Sequence, residues 1–375
     1  MREVVGRLVL AAGVVPGRIA VEDGWIAGVI EDPSDAEAAD GPLIAPGFID
    51  VHVHGWGGHD ATGDADALSG MARALLRQGV TSFLPTAPTL AESELPRFAN
   101  RIRYWMPGAP DDGAEPLGFN LEGPFLAPAR RGAHDAALLR TPEDLAPAVI
   151  DAVLAGLRIM TIAPELAGSL ELIAQLAALG IVPSIGHSNA TLEQARAGYA
   201  AGGRTTTHLF NAMTGVDHRL PGLAAAALAD DAAYVELIAD GNHVHPALWT
   251  IITRTKPADR LVLVSDALAM AGTGDGLGHV GGLEVEVRGG RATLAGTETL
   301  AGSVIALDTA VRNLVREGLP LHAAVAAAST NPATLLGELD RGLIAPGRLA
   351  HFVELTDDLR VRRVTRGEDW IDGAG

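Results

Sequence analysis

A chain of 375 residues, 48% of them hydrophobic, is long enough to bury one large core with a small satellite. A formal charge of −18 argues against nucleic acid or an anionic membrane as partner, because both need a basic face; a phosphorylated small molecule needs only one or two local cations. The absence of cysteine rules out disulfides and thiolate metal sites. Residues 1 to about 42 read as short strands with turns, as in "VPGRIAVEDGWIAGVI". The first apolar run alternates like a strand, is too short to span a bilayer and lacks a clear basic leader, so the expectation is a cytoplasmic protein.

From residue 43 to about 266 come eight apolar or β-branched runs: "LIAPGFIDVHVH", "TSFLPTAP", "LGFNLEGP", "RIMTIAPE", "VPSIGHS", "RTTTHLFNAM", "YVELIADGNH" and "LVLVSDAL". Segments such as "ADALSGMARALLRQG" and "SLELIAQLAALG" lie between them, with helical apolar spacing and Gly where a helix ends. Strand–helix alternation implies parallel strands, and eight repeats in about 250 residues suit an α/β fold of the (β/α)8 TIM-barrel type. A doubly wound sheet is the alternative, but no Gly-rich dinucleotide fingerprint follows any strand. The expected domains are a (β/α)8 barrel over 43–345 and a small β-sandwich from both termini, 1–42 and 346–375. Residues 279–300, around "GGLEVEVRGGRATLAG", read as an inserted β-hairpin.

The chemistry gathers where barrel strands end. Those ends carry His52 and His54, Glu122, His187, His208, Asp240 with His243, and Asp266. In "IDVHVHG" strict alternation puts His52 and His54 on one face and Val51 and Val53 on the other. Any one of these residues could cap a helix or tie down a loop; the set together reads as a metal site. Imidazole and carboxylate without thiolate suit zinc, with iron or manganese as alternatives. Asp266 closes an apolar strand and precedes a loop, which suits a base that takes the proton of an attacking water. Lys256, the only lysine, falls in the connection between strands seven and eight, so no lysine on a barrel strand is available to be carboxylated and bridge two metals. A carboxylate such as Glu122 must bridge if two ions bind. Of the other histidines, His59 and His245 fall near the mouth, His218 adjoins Arg219, and His279, His322 and His351 read as surface or helix residues. Residues 127–140, with Arg130 and Arg131, read as a flap or a solvated loop.

The blocks "LIAPGFIDVHVHG", "LEGPFLAPARRGAH", "IGHSNA", "THLFNAM", "ADGNHVHP", "SDALAMAG" and "LAGSVIALDTAVRNL" resemble the amidohydrolase superfamily and, within it, the N-acetylglucosamine-6-phosphate deacetylase family. They span most of residues 43 to 350 in that family's order, and "LEGPF…GAH" with "THLFNAM" is the most specific part. The resemblance implies removal of the acetyl group of N-acetylglucosamine 6-phosphate, with one or two divalent metals per subunit. It implies Glu122, His187 and His208 as the main metal ligands, with His52, His54 and Asp266 as capacity for a second ion. Asp266 is similar to the family's catalytic Asp, and His134 to a histidine that polarises the acetyl carbonyl. Asn211 and Ala212 match sugar-contacting positions, Ala133 and Asp240 are expected among the substrate-binding residues, and Leu300, Ala301 and Gly302 match the segment that closes over the substrate. Arg219 and His243 match a phosphate grip in which the arginine comes from the partner subunit, which implies a homodimer. Deacetylation of N-acetylgalactosamine 6-phosphate or of another amide, and a non-catalytic sugar-phosphate sensor, are the alternative readings.

Overall fold

The structure is a computed structural model describing residues 2–367 and 369–374. In chain order it opens with strands β1 (Arg2–Leu10), β2 (Gly13–Glu22), β3 (Trp25–Glu31), β4 (Leu43–Pro46) and β5 (Phe48–Val53). Alternation follows: α1 (Ala65–Arg77), β6 (Val80–Ala87), α2 (Leu95–Trp105), β7 (Phe119–Glu122), α3 (Pro147–Leu154), β8 (Leu157–Ile162), α4 (Ser169–Ala178) and β9 (Val182–Ile185). It continues with α5 (Leu192–Ala200), β10 (Thr205–Thr206), α6 (Leu223–Ala229), β11 (Val235–Leu237), α7 (Pro246–Thr255) and β12 (Leu261–Leu263). After β12 come β13 (Gly276–Val280), β14 (Leu283–Arg288) and β15 (Arg291–Leu294), then α8 (Leu307–Arg316), α9 (Leu321–Ala328) and α10 (Thr330–Leu336). The chain closes with β16 (His351–Leu355), β17 (Val361–Arg366) and β18 (Trp370–Asp372).

The helices form for local reasons. In α1, Asp64 accepts the N–H of Ala67 as N-cap, and Leu68, Met71, Ala72, Leu75 and Leu76 form one buried stripe at helical spacing. Gly79, at φ +84°, then turns the chain into β6. A Thr191–Gln194 capping box starts α5 in the same way. No helix among the described residues is long and apolar enough to cross a membrane.

Six parallel strands pair in the order β10-β9-β8-β7-β6-β5, and β11 pairs with β12 in parallel. Backbone hydrogen bonds continue past these edges: Thr206 N–H to Tyr234 O at 3.0 Å, Leu209 N–H to Glu236 O at 2.8 Å, and Asp266 N–H to His52 O at 2.9 Å. One apolar cluster gathers Ile49, Val51, Leu84, Ile159, Val182, Tyr234, Ile238, Val262 and Val264 from six of these strands and their ends. Alternate residues, among them Phe83, Met160, Ile185 and Leu263, belong to the larger cluster shared with the helices. Val51 and Val53, expected on one face, fall into different clusters. The register of β5 against β6 shifts between Asp50 and Val53, and this irregularity breaks the alternation around His52.

The two termini meet in a single seven-stranded sheet of order β18-β17-β16-β4-β1-β2-β3. The residues "LIAP", which patterning groups with the first barrel run, form β4 instead, paired with β1 on one side and β16 on the other. The insertion after β12 is a three-stranded antiparallel sheet rather than a two-stranded hairpin, because "GLGHV" adds a strand ahead of the two foreseen. His351, expected at the surface or on a helix, is instead buried at the start of β16. Burial, with Arg366 and Arg341 nearby, pushes its imidazole down to about 3.

Candidate metal centre and substrate cavity

The strand ends deliver the chemistry. His52 and His54 end β5, Glu122 ends β7, His187 and His208 follow β9 and β10, and Asp266 follows β12; all are buried. His187, His208 and Asp266 have φ values of +47°, +28° and +50°, as do two neighbours in "HLFNAM", Phe210 (+76°) and Ala212 (+48°). Non-glycine residues pay about 1–3 kcal/mol to sit in this left-handed region, and here the strain collects where side chains must converge.

Two groups of three residues bring possible ligand atoms within 4.8 Å of one another: Glu122 with His187 and His208, and His52 and His54 with Asp266. In the first, the Nε2 atoms of His187 and His208 each lie 2.9 Å from Glu122 Oε1 and 3.1 Å from each other. In the second, His54 Nε2 lies 3.1 Å and His52 Nε2 3.5 Å from Asp266 Oδ1. The other oxygen of Glu122 faces His54 Nε2 at 3.2 Å, so this carboxylate stands between the groups.

The residues present fit a divalent cation. His54 Nδ1–H donates to Thr86 O at 3.1 Å and His187 Nδ1–H to Arg130 O at 2.8 Å, which turns each Nε2 inward, where it could give its lone pair to a cation. His52 Nδ1–H donates to the buried carboxylate of Glu236 at 3.1 Å, while its buried Nε2 has no hydrogen-bond partner among the described residues. Burial alone would raise Glu122, but His52, His134 and His187 around it hold the carboxyl well below the usual range. Burial alone would lower His54, yet hydrogen bonds to Asp266 and Glu122 push it up to about 9. His187, by contrast, is driven down to about 4 by burial. Two buried carboxylates thus demand positive charge, and the nitrogen and oxygen donor set supplies places to put it.

His134 differs from the ligands. Its Nδ1 accepts the backbone N–H of Thr89 at 3.1 Å, so the ring proton is on Nε2, which donates to Glu122 Oε2 at 3.3 Å. It therefore offers a donor to the cavity, where His54 and His187 would offer lone pairs to a cation. His243 Nδ1–H donates to Asp240 Oδ2 at 2.7 Å, which orients the ring; burial alone would raise Asp240, and this bond with His243 holds it low.

A cavity of about 430 Å³ opens beside the two groups. The structure brings His54, Glu122, Ala133, His134, His187, His208, Asn211, Ala212, His243, Asp266, Leu300, Ala301 and Gly302 to its wall. His52 lies behind it, fully buried, and Asp240 stands behind His243. Arg219 is not at the cavity: it is exposed on the 215–220 loop, where its backbone N–H donates to Asp217 Oδ1 at 2.8 Å. The 127–140 segment is pinned at both ends, by Ala127 N–H to His187 O at 2.8 Å and Arg140 N–H to Pro124 O at 3.1 Å. Lys256 points elsewhere, donating through Nζ to the carbonyls of Ala227 (3.0 Å) and Asp230 past the end of α6.

Sequence reasoning missed Glu236, Thr89, Arg291 and Glu298. Only Glu236 left a signal, as a lone carboxylate inside the apolar run "YVELIA", where it must find a buried partner. Its other partner is the backbone N–H of His208 at 3.3 Å.

The sequence profile of the amidohydrolase family matches residues 43–367. Among similar proteins, N-acetylglucosamine-6-phosphate deacetylase of Bos taurus is 41% identical, over 92% of this chain and 90% of its own. N-acetylgalactosamine-6-phosphate deacetylase of Escherichia coli O157:H7 is 38% identical, over 95% and 93%. A mutant N-acetyl-D-glucosamine-6-phosphate deacetylase of Mycobacterium smegmatis, solved with N-acetyl-D-glucosamine-6-phosphate, superposes with a TM-score of 0.89 at 36% identity over 98% of both chains. With the family's profile running from β4 to just past β17 and the polar strand ends converging as described, the chain belongs to the amidohydrolase family.

Proposed function

We propose that this chain hydrolyses the acetamide of N-acetylglucosamine 6-phosphate to glucosamine 6-phosphate and acetate. The observation that carries the reading is that one cavity holds Asp266 and the Glu122–His187–His208 group together with a histidine of the opposite tautomer, His134. A divalent cation on Glu122, His187 and His208, zinc by preference, would polarise the acetyl carbonyl and lower the pKa of water. Asp266, buried and held below the usual carboxylate range by His54 and His52 against the effect of burial, is poised to accept the proton of the attacking water. As the C–N bond breaks, the same carboxyl returns that proton to the departing amine nitrogen, leaving acetate and the free amine. His134 Nε2–H is available to donate to the oxygen that gains charge on the acetyl carbon. His243, oriented by Asp240, faces the sugar phosphate with Asn211 and Ala212, and Leu300–Gly302 closes over it.

His52, His54 and Asp266 would hold a second cation, and the carboxylate of Glu122, which stands between the two groups, would serve both. The enzyme works as a cytoplasmic homodimer in which Arg219 reaches the partner's phosphate; its place on an exposed loop between Val216 and Leu220, 62% and 84% exposed, supports that assignment. We read the eight parallel strands as a closed barrel and the terminal sheet as curling into a sandwich, with the first domain boundary moved past β4, which pairs within the terminal sheet. Similarity to an N-acetylgalactosamine-6-phosphate deacetylase keeps the epimer as a second reading. Acetate release from both phosphorylated epimers and from unphosphorylated N-acetylglucosamine separates the cases. Preference for the gluco phosphate supports the proposal. Preference for the galacto phosphate replaces it with the second reading, and binding without turnover indicates a sensor.

A further inference from the structure

We infer that Arg291, on the inserted sheet, recognises the substrate phosphate from within the same chain, and that Glu298 is the counter-ion the phosphate displaces. The inference rests on the proposed sugar-phosphate reading and adds to it a specificity residue.

A phosphate entering this acidic protein needs positive charge, and Arg219 of the same chain does not reach the cavity. The two arginines that line it are Arg130 and Arg291. Arg130 is partly committed, donating through Nε to Asn189 Oδ1 at 3.1 Å. Arg291 is held differently. Its Nη1 lies 3.0 Å from Glu298 Oε2 and its Nη2 donates to Glu298 O at 3.3 Å. The Glu298 side chain is 89% exposed. An exposed pair of this kind contributes about 0–1 kcal/mol, so a dianionic phosphate competes for the guanidinium at little cost.

The backbone aims Arg291 where the phosphate would be. Gly289 and Gly290, with φ of +59° and +78°, make the tight turn from β14 to β15, and Arg291 is the first residue after it. Gly290 O lies 3.5 Å from Nδ2 of Asn242, the neighbour of His243. On the other side, Ala292 O accepts the N–H of Ala301 at 3.2 Å, which ties β15 to the segment closing over the cavity. The insertion is not a loose arm: Val285, Val287, Ala292 and Ala301 pack with Leu268 in a buried cluster against which Ala133 rests. Arg291 thus stands on a stiff wall between His243 and Leu300–Gly302, with a fork of donors matched to phosphate oxygens.

The test compares wild type with Arg291→Ala, Arg291→Lys and Glu298→Gln in the full chain. Calorimetry with glucosamine 6-phosphate and with glucosamine reads binding without turnover, and steady-state rates on N-acetylglucosamine 6-phosphate read KM and kcat. Arg291→Ala is expected to weaken glucosamine 6-phosphate about 10-fold or more, and to raise KM by a similar factor, while kcat stays within about twofold. Arg291→Lys recovers part of the loss, and Glu298→Gln tightens the phosphate ligand while leaving glucosamine where it was. Unchanged affinity and KM in Arg291→Ala, or an equal loss for both sugars, would overturn the inference while leaving the deacetylase reading standing. Wild-type protein that binds glucosamine 6-phosphate no better than glucosamine would overturn the sugar-phosphate reading and this inference together.

Discussion

Glu236→Gln tests how the centre is built. Glu236 is fully buried, accepts His52 Nδ1–H at 3.1 Å and the N–H of His208 at 3.3 Å, and its Oε1 has no hydrogen-bond partner among the described residues. A glutamine keeps the volume and an acceptor oxygen but removes the charge that strengthens the His52 lone pair at Nε2. Losing an outer partner of this kind costs about 10- to 100-fold in metal affinity, which is ~1.4–2.7 kcal/mol. The same change takes a counter-charge from the buried His52 imidazole, so the metal-free variant should also melt lower than wild type. Chelator-stripped protein would be titrated with zinc against a chromophoric competitor, and melting followed with and without the ion. The expected pattern is weakened binding of the equivalent assigned to His52, His54 and Asp266, with the Glu122–His187–His208 equivalent changed far less. Wild-type affinity at both equivalents, with only the metal-free melting point lowered, would refute the reasoning and make Glu236 a prop of the fold.

Other tests follow from single contacts. His351 is held at about 3 in the folded protein, below the ordinary imidazole value of about 6.5, so the unfolded chain takes the proton first and stability falls as pH drops through that window. About 2 kcal/mol should be lost between pH 7 and pH 5 in denaturant titrations, and His351→Leu should flatten that slope. At Gly302, φ is +74° and a Cβ would stand 2.8 Å from Asp266 O, so Gly302→Ala should displace Asp266, the proposed base. We expect kcat/KM to fall about 100-fold with circular dichroism unchanged; full activity would contradict the placement. Lys256→Met should cost about 1–3 kcal/mol in chemical denaturation, from the stranded carbonyls of Ala227 and Asp230, yet leave metal content per chain unchanged. Loss of metal in that variant would bring lysine chemistry back into consideration.

Much of the candidate site is legible in the sequence because its candidate ligands end apolar runs, which local patterning marks. Glu122, His187, His208 and Asp266 each fall at a strand end on the strength of the run preceding them, even where the strand, as in Thr205–Thr206, is very short. What patterning does not carry is long-range convergence. Glu236 reads as one polar residue in a strand, and only the fold places it 3.1 Å from an imidazole 184 residues earlier. The left-handed φ values at His187, His208 and Asp266 are equally hidden, since none is a glycine and the tertiary contacts impose them. Val51 escapes the alternation rule because a register shift, which has no residue signature, intervenes. His351 looks exposed because a histidine opening a strand is as compatible with solvent as with a buried contact beside Arg341 and Arg366. Arg291 carries no signal because an arginine after Gly-Gly reads as an exposed turn, which it is; the cavity beneath it is tertiary.

The most direct measurement of the proposed chemistry is acetate release from N-acetylglucosamine 6-phosphate by protein stripped with chelator and then reloaded with zinc, beside Asp266→Asn treated identically. The expected result is turnover that disappears on stripping, returns with the ion, and falls by at least about 100-fold in the variant although it binds glucosamine 6-phosphate normally. Turnover in the variant at the wild-type rate, or no acetate from reloaded wild-type protein that still binds the sugar phosphate, would contradict it.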